Sequence, residues 1–412
     1  MDNNIIILGG GQTAAYAAKE IRSIDYSIPL TIISEDNYLP YERPPLSKDC
    51  LLEKKIYDQI LFFPKNFYEE NKINFILNKK ITSVDFEKNK IISDNGEVYN
   101  YNKLLIATGS KNRQIKIDNT VNNIENDIIY LRDIKDSKKI RNRLKSSNEL
   151  IIVGGGFIGL EIASAASQLG KKVSVIEMGK QLMGRAIPSP IAKLVQEFHK
   201  KNGNNIFLET QIKNINRIDN SYEVILNSNI KICCDLIIAG IGSLANTDLF
   251  LDTSIKTDNG IITDEFCQTS VPNVFAAGDV ANFFHPFYRK NIRLESYQHA
   301  QNHGINAGKN ILGVKTTYNN IPWMWSDQFD YNLQMIGICD NYEKITQRGT
   351  DINEGIIYFF IKNRKIIGAC GLGISGKIGR DIKLAGKISE KQIEIKEEIL
   401  SDKNMKLNIL LS

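Results

Sequence analysis

The sequence predicts an α/β fold made of two similar units, each wound around a parallel sheet, followed by a smaller C-terminal α+β part. Three observations carry that expectation. A strand, glycine turn, helix and second strand open the chain; the same pattern returns after residue 149; and from about residue 321 short apolar runs alternate without any such turn. At 412 residues and 42% hydrophobic, the chain is long enough for two or three packed domains.

In the first unit the apolar run Ile5-Ile6-Ile7-Leu8 is a buried strand, followed by the turn Gly9-Gly10-Gly11-Gln12-Thr13-Ala14 and a helical run over 15–22. A second strand over 30–34 ends at Glu35. This is a GxGxxA fingerprint: Gly9 makes the tight turn, Gly11 lets the backbone approach a pyrophosphate, and Ala14 permits close packing of the helix. The helix N-terminus adds amides and a positive dipole. Glu35, 21 residues after Ala14, stands where a carboxylate accepts hydrogen bonds from an adenosine ribose.

The second unit repeats this with a strand over 150–153, the turn Gly154-Gly155-Gly156-Phe157-Ile158-Gly159, a helix over 160–169, a strand over 172–176 and then Glu177. Gly154 follows Gly9 by 145 residues and Glu177 follows Glu35 by 142, so the units are nearly equal in length. Gly154, Gly156, Ile158 and Gly159 are the second set of cofactor-binding candidates, and both units read as Rossmann-like dinucleotide-binding domains. Glu177 favours NAD over NADP, because a carboxylate bonds the ribose 2′-hydroxyl and repels a 2′-phosphate. Lys180 and Arg185 nearby leave NADPH open as the less favoured donor.

Two adenine dinucleotides on one chain imply FAD and NAD(P)H, with hydride passing between them. Two later segments set the order. Leu104-Leu105-Ile106-Ala107-Thr108-Gly109 is a buried strand ending in a small-residue turn, and 274–281 is another strand whose end presents Gly278 and Asp279 before a possible helix. Ligands gather at the carboxyl ends of such strands, so Ala107, Thr108, Gly109, Gly278 and Asp279 are expected to line an extended FAD held by the first unit.

Other function classes are excluded by composition. Lys plus Arg number 52 against 47 for Asp plus Glu, and the excess is dispersed, so nucleic acid is not an expected partner. Cysteines at 50, 233, 234, 267, 339 and 370 form no CxxC pair, and His199, His285, His299 and His303 form no metal-like pair. No metal site is expected, and the histidines are expected at the surface or as satisfied core groups. Residues 1–4 run straight into the first strand and no 18-residue apolar run occurs, which predicts a cytoplasmic protein without a membrane partner.

The loop Leu39-Pro40-Tyr41-Glu42-Arg43-Pro44-Pro45-Leu46-Ser47-Lys48 and the segment Pro322-Trp323-Met324-Trp325-Ser326-Asp327-Gln328 are specific. With the turn 240–242, the run 271–281 and Arg293-Leu294-Glu295-Ser296, the chain resembles the FAD-dependent pyridine nucleotide reductases of the ferredoxin reductase type. It departs from them at Tyr297 and His299, and Leu244-Ala245-Asn246 lacks their proline. The resemblance implies an FAD domain over 1–112 and 247–320, an NAD(H) domain over 113–246, and a C-terminal domain over 321–412. The apolar runs at 356–361 and 366–369 fit antiparallel strands there, and 382–388 fits a helix.

Lys48 and Glu161 are, by resemblance, the pair beside flavin N5: the ammonium stabilises negative charge on reduced FAD while the carboxylate holds it charged. The resemblance also assigns the Thr13 backbone, Arg43, Ile81, Arg132 and the backbone near Tyr297 to FAD, and Arg185 and Gly242 to NAD(H). Trp323 and Trp325 line the cofactor pocket or pack in the core. The loop after Glu35 holds Cys50 alone, so no internal disulfide relay forms there. Electrons are expected to leave the flavin directly, and the resemblance points to a [2Fe-2S] ferredoxin or rubredoxin as acceptor, serving an oxygenase or cytochrome P450. Arg289, Lys290 and Arg293 are the expected docking charges, on a monomer or homodimer. A small-molecule reductase of the monodehydroascorbate or disulfide type, and a redox-responsive binding protein like apoptosis-inducing factor, remain open.

Overall fold

The computed structural model describes residues 4–117, 124–184 and 187–411. The chain falls into two compact units: Met1–Glu42 with Tyr57–Lys111 and Ser243–Asn320, and Arg43–Ile56 with Asn112–Gly242 and Ile321–Ser412.

In the first unit five parallel strands lie in the order Val274–Ala276, Lys103–Ile106, Ile5–Leu8, Leu30–Ile33, Ile73–Ile76. The central strand Ile5–Leu8 is buried throughout, which is why its sequence is continuously apolar and does not alternate. Helix Gln12–Ile24 buries Ala14, Ala17, Ala18 and Ile21 and packs against helix Tyr297–Ile311. The approach is close: a Cβ on Gly304 would lie 2.5 Å from the Thr13 carbonyl oxygen, and one on Gly308 2.8 Å from that of Ala17.

The second unit has the matching arrangement Ile129–Tyr130, Leu236–Ala239, Glu149–Val153, Lys172–Ile176 and Asn205–Phe207, again all parallel, except that its first strand here comes early in the chain where Val274–Ala276 comes late. Each unit also inserts a three-stranded antiparallel sheet at the same point of the winding: Ile81–Asp85, Lys90–Ser93 and Val98–Asn100 in one, Ile212–Ile218, Ser221–Leu226 and Lys231–Cys234 in the other. The duplication visible in the glycine turns therefore extends through the surrounding sheet.

The C-terminal segment forms an antiparallel sheet in the order Trp323–Gln328, Tyr331–Gly337, Lys365–Ile374, Ile356–Lys362, Lys344–Arg348. Strict alternation on Ile356–Lys362 sends Ile357, Phe359 and Ile361 to one apolar cluster, with Ile382, Ala385 and Ile388 of helix Gly379–Glu390, and sends Phe360 to the other. Both faces of the sheet are thus covered.

Two features differ from expectation. Residues 43–56, expected with the FAD-binding part, pack in the second unit, where the Ser137 hydroxyl donates to the Leu46 carbonyl at 2.9 Å and Leu51 joins the apolar cluster of Leu144 and Leu150. No helix follows Asp279; Gly278–Val280 is a single 3-10 turn leading into strand Ala281–His285, whose Phe283 is fully buried. Among the described residues no helix is long and apolar enough to cross a membrane.

Arg348 is only 5% exposed and ties down the last thirty or so residues. Its Nε donates to Asp381 at 2.9 Å, and its terminal nitrogens donate to the carbonyls of Leu400, Asp402 and Met405 at 3.2, 2.6 and 2.7 Å. An Arg348→Met change removes the shared donor from these buried and part-buried acceptors, and a loss of roughly 3 kcal/mol is expected. Urea unfolding measures it; an unchanged midpoint contradicts the assignment.

All four histidines are buried, so none is the surface group that the sequence left open. Burial lowers every one, His199 to about 4 and His299 to about 3. In the unfolded chain they take up protons near pH 6.5. The unfolded state therefore binds more protons as pH falls below 6.5, and stability is lost through the window down to the folded values. His199 alone accounts for about 3 kcal/mol by pH 4. The unfolding midpoint is expected to fall steadily from pH 6.5 to 4.5; a flat profile would count against neutral buried imidazoles.

Candidate functional site

The first glycine turn fits a pyrophosphate by geometry. Gly9 has φ +119°, and a Cβ there would lie 2.2 Å from the Ala107 carbonyl oxygen, so the chain can turn beneath the neighbouring strand end only as glycine. Gly11 is the opposite case: its φ is an ordinary −92°, and nothing lies within 4 Å of an added Cβ. That open face adjoins the first amides of helix Gln12–Ile24, and the Gln12 side-chain nitrogen is buried without a partner. An orphaned donor beside a helix N-terminus and an open glycine is what an anion completes.

Of the other candidates in this unit, Ala107, Thr108 and Gly278 lie against the same turn. The Thr13 hydroxyl donates to the Ala300 carbonyl at 3.1 Å, and a Cβ on Gly278, where φ is +78°, would overlap it at 2.3 Å. The Gly278 amide donates to Nδ1 of His303 at 3.1 Å. Asp279 is half-buried and accepts from the Ser110 hydroxyl at 3.1 Å, while the Thr108 hydroxyl donates to the Asn246 carbonyl at 3.0 Å and the Asn246 amide to the Gly109 carbonyl at 2.9 Å. Glu35 is exposed with Lys80 3.6 Å away, which leaves its carboxylate reachable by ribose hydroxyls. Tyr297 begins its helix and donates to Glu42 at 3.1 Å. Ile81 buries its side chain in the apolar cluster of Ile91 and Ile106.

The second turn is built alike. Gly154 has φ +102° with a Cβ position 2.5 Å from the Gly240 carbonyl oxygen, and Gly159 would meet the Gly154 carbonyl at 2.2 Å. Gly156 and Gly242 are open, the nearest atom to either Cβ being the Gly240 oxygen, 3.8 Å from that of Gly156. Ile158, 43% exposed, stands in the first turn of helix Phe157–Gln168. Glu177 is turned onto its own loop: Gly155 donates to Oε2 at 2.7 Å and Gly179 to Oε1 at 2.6 Å. The remaining lone pairs can accept ribose hydroxyls, and the carboxylate is held rigid. Arg185 lies outside the described residues.

Lys48 and Glu161 are brought together. Pro44–Ser47 forms a 3-10 turn that delivers Lys48, whose Nζ lies 3.1 Å from Oε1 of Glu161 and 3.0 Å from Oδ2 of Asp327. Glu161, 4% exposed on helix Phe157–Gln168, also accepts from the hydroxyls of Ser47 and Ser326, the latter at 2.6 Å. Burial works against charge on Lys48, but Glu161 and Asp327 outweigh it and its pKa is raised. Burial likewise pushes Glu161 up, opposed by Lys48 and the two serines. The Trp325 Nε1 donates to Asp327 at 3.1 Å, its ring lies 5.9 Å from the Lys48 ammonium, and Trp323 stacks on it at 5.0 Å. Arg43 donates to the Arg132 carbonyl, and the Arg132 amide donates to Asp136 at 2.8 Å, within the capping box of helix Ile134–Ser146.

Sequence reasoning missed Asp327, Ser47 and Ser326 as partners of this pair. All three stand in the two segments that carried the resemblance, and an aspartate amid tryptophans on a strand is the signal that was available. Cys50 is fully buried and its thiol is pushed up to about 11 by burial, which disfavours the thiolate that a nucleophile needs.

Two pyrophosphate-sized turns on duplicated parallel sheets, with an acid after each, define a two-dinucleotide oxidoreductase. Residues 3–304 match the pyridine nucleotide-disulphide oxidoreductase family and residues 323–411 its reductase C-terminal domain. The chain belongs to the pyridine nucleotide-disulphide oxidoreductase family, and with that membership it is an FAD-dependent NADH oxidoreductase. It is 31% identical over 392 residues, 94% of this chain and 95% of the other, to the anthranilate 1,2-dioxygenase system ferredoxin--NAD(+) reductase component of Burkholderia cepacia. It is 30% identical over 384 residues, 92% and 99% of the two chains, to the rubredoxin-NAD(+) reductase of Pseudomonas putida. The ferredoxin reductase for the CYP199A2 system from Rhodopseudomonas palustris has the same fold over 100% of both chains, with TM-score 0.94 and 27% identity.

Proposed function

We propose that this chain is an NADH:ferredoxin reductase, working in the cytoplasm as a monomer or homodimer and passing electrons to a [2Fe-2S] ferredoxin or rubredoxin that serves an oxygenase or cytochrome P450. The observation that carries this reading is the largely shielded cation Lys48 between two carboxylates, beside a cysteine buried too deeply to serve as an exposed thiol relay. Bound FAD would supply the redox chemistry, accepting a hydride from NADH and releasing electrons one at a time. The chain's own part is to hold and to polarise. Gly9, Gly11, Thr13, Ala14, Glu35, Ala107, Thr108, Gly109, Gly278 and Asp279 hold FAD, with Arg43, Ile81, Arg132 and Tyr297 as further contacts. Gly154, Gly156, Ile158, Gly159, Glu177 and Gly242 hold NADH, joined by Arg185; the fixed Glu177 carboxylate disfavours a 2′-phosphate. Lys48 would offer its positive charge to the flavin N5 region, with Glu161 and Asp327 holding the ammonium in place.

For the acceptor, Arg289 and Lys290 are exposed, whereas Arg293 turns inward to Glu295 and the Asp279 carbonyl and leaves the docking set. Chain reduced anaerobically by NADH is expected to be reoxidised by an acidic [2Fe-2S] ferredoxin or a rubredoxin. Charge reversal at Arg289 and Lys290 together should raise the apparent Michaelis constant about tenfold at low salt and less at high salt. Reoxidation by small acceptors alone, with every iron-sulfur protein inert, would overturn the reading.

A further inference from the structure

Glu161 is not only paired with Lys48; it is the terminus of a buried polar chain that runs away from the ammonium. Ser326 donates to Glu161 at 2.6 Å, Gln328 lies 3.1 Å from the Ser326 hydroxyl, His199 Nε2 lies 2.9 Å from the Gln328 oxygen, Asn204 lies 2.9 Å from His199 Nδ1, and Ser167 contacts the Asn204 oxygen. These groups come from two helices, the loop after the second helix, and a strand more than a hundred residues away in sequence. Glu161, His199, Asn204, Ser326 and Gln328 are each at most 4% exposed. Only Ser167, at the far end, is half-buried, and a buried polar run persists only if its members are satisfied.

The direction of this chain is forced from one end. A carboxylate only accepts, so Ser326 must spend its single proton on Glu161. Ser326 must then accept from the Gln328 amide nitrogen, which turns the Gln328 oxygen toward His199. His199 must therefore carry its proton on Nε2 and present a lone pair at Nδ1, which the Asn204 nitrogen fills. The Asn204 oxygen in turn accepts from Ser167. Every donor points at Glu161. A protonated Glu161 removes this constraint and permits the reversed chain, with the proton on Nδ1.

The end of the chain is also pinned mechanically. Phe329, directly after Gln328, is held at φ +54°, a conformation that a bulky side chain adopts only under constraint. Its amide donates to Ser164 at 2.7 Å and its ring packs on His199 at 5.3 Å and Phe198 at 5.9 Å. We propose that His199, with Asn204 and Gln328, is a positioning residue: it feeds a one-way hydrogen-bond chain through Ser326 that keeps Glu161 ionised and so keeps Lys48 charged and aimed. The groups facing Glu161 are Lys48, Ser47 and Ser326, with Asp327 across the ammonium. Those facing His199 are Asn204, Gln328, Phe198 and Phe329, none of them ionisable. The lysine-carboxylate pair is thus the only charge the chain can serve among these neighbours. The proposal rests on the reductase reading for its consequence, though not for its hydrogen bonding.

Nitrogen-15 NMR of histidine-labelled protein, without mutation, is expected to give His199 as neutral imidazole protonated on Nε2 at pH 7; a proton on Nδ1 would overturn the chain's direction. The second measurement is the midpoint potential of bound FAD against pH. His199→Leu is expected to lower it by about 30 mV at pH 7, a tenfold change in the reduction equilibrium, and to add a new pH dependence as Glu161 titrates. His199→Gln, which keeps one donor and one acceptor, should recover much of the loss, and Gln328→Met should reproduce it should His199→Leu fail to fold. Potentials and pH profiles equal to wild type in both breaking variants would sink the proposal with the reductase reading intact. A wild-type chain that binds FAD but is not reduced by NADH would instead sink the reading, and the NMR result would still decide the chain.

Discussion

Lys48→Met is expected to slow the reduction of bound flavin by NADH about a hundredfold, the scale seen when one preorganised stabiliser of developing charge is removed. Methionine fills the same volume without charge, so packing under Trp325 is kept while the ammonium is lost. The loss is large because Lys48 sits between two carboxylates at 3.1 and 3.0 Å and is only 15% exposed, so no water takes over its role. Glu161→Gln is expected to cost less, since Asp327 still holds the ammonium. Stopped-flow absorbance with NADH in excess reads both. A change of less than threefold in Lys48→Met, with FAD still bound, would remove Lys48 from the chemistry.

Gly11→Val is the second large effect, and it separates binding from folding. Gly11 has an ordinary φ and open space where the Cβ would stand, so the variant is expected to fold with an unchanged apoprotein melting temperature. The branch occupies the room a pyrophosphate needs, and FAD affinity should fall at least about a hundredfold, near 3 kcal/mol. Gly156→Val should do the same to NADH while the protein stays yellow, because its Cβ position meets only one ordinary contact, the Gly240 oxygen at 3.8 Å. Gly9→Val contrasts with both: its Cβ would overlap the Ala107 carbonyl, so the fold itself is expected to fail. Full FAD occupancy in Gly11→Val would refute the pyrophosphate assignment.

Local chemistry explains which parts of this architecture were legible. The glycine turns and their strands follow from φ restriction and burial, both written in neighbouring residues, and the structure has Ile5–Leu8 and Lys172–Ile176 where the sequence predicts them. The antiparallel inserts at 81–100 and 212–234 were not read, because short half-exposed strands such as Val98–Asn100 carry little periodic signal. The run after Asp279 was misread for a related reason: Gly278-Asp279 resembles a helix start, but Phe283 and His285 pack inward at strand spacing. Lys48 and Glu161 could be named by resemblance, yet their neighbours could not be derived. Ser326, Gln328, His199 and Asn204 meet only through tertiary packing, and each alone looks like an ordinary polar residue. Arg348 was invisible for the same reason, since its acceptors are backbone carbonyls more than fifty residues downstream.

Anaerobic titration of the purified protein with NADH, following flavin absorbance, bears most directly on the claim that one chain holds both dinucleotides. The expected result is a yellow protein carrying one FAD per chain that is bleached by about one equivalent of NADH, with NADPH much less effective. A protein that stays colourless in excess FAD, or a bound flavin that NADH leaves oxidised, would contradict it.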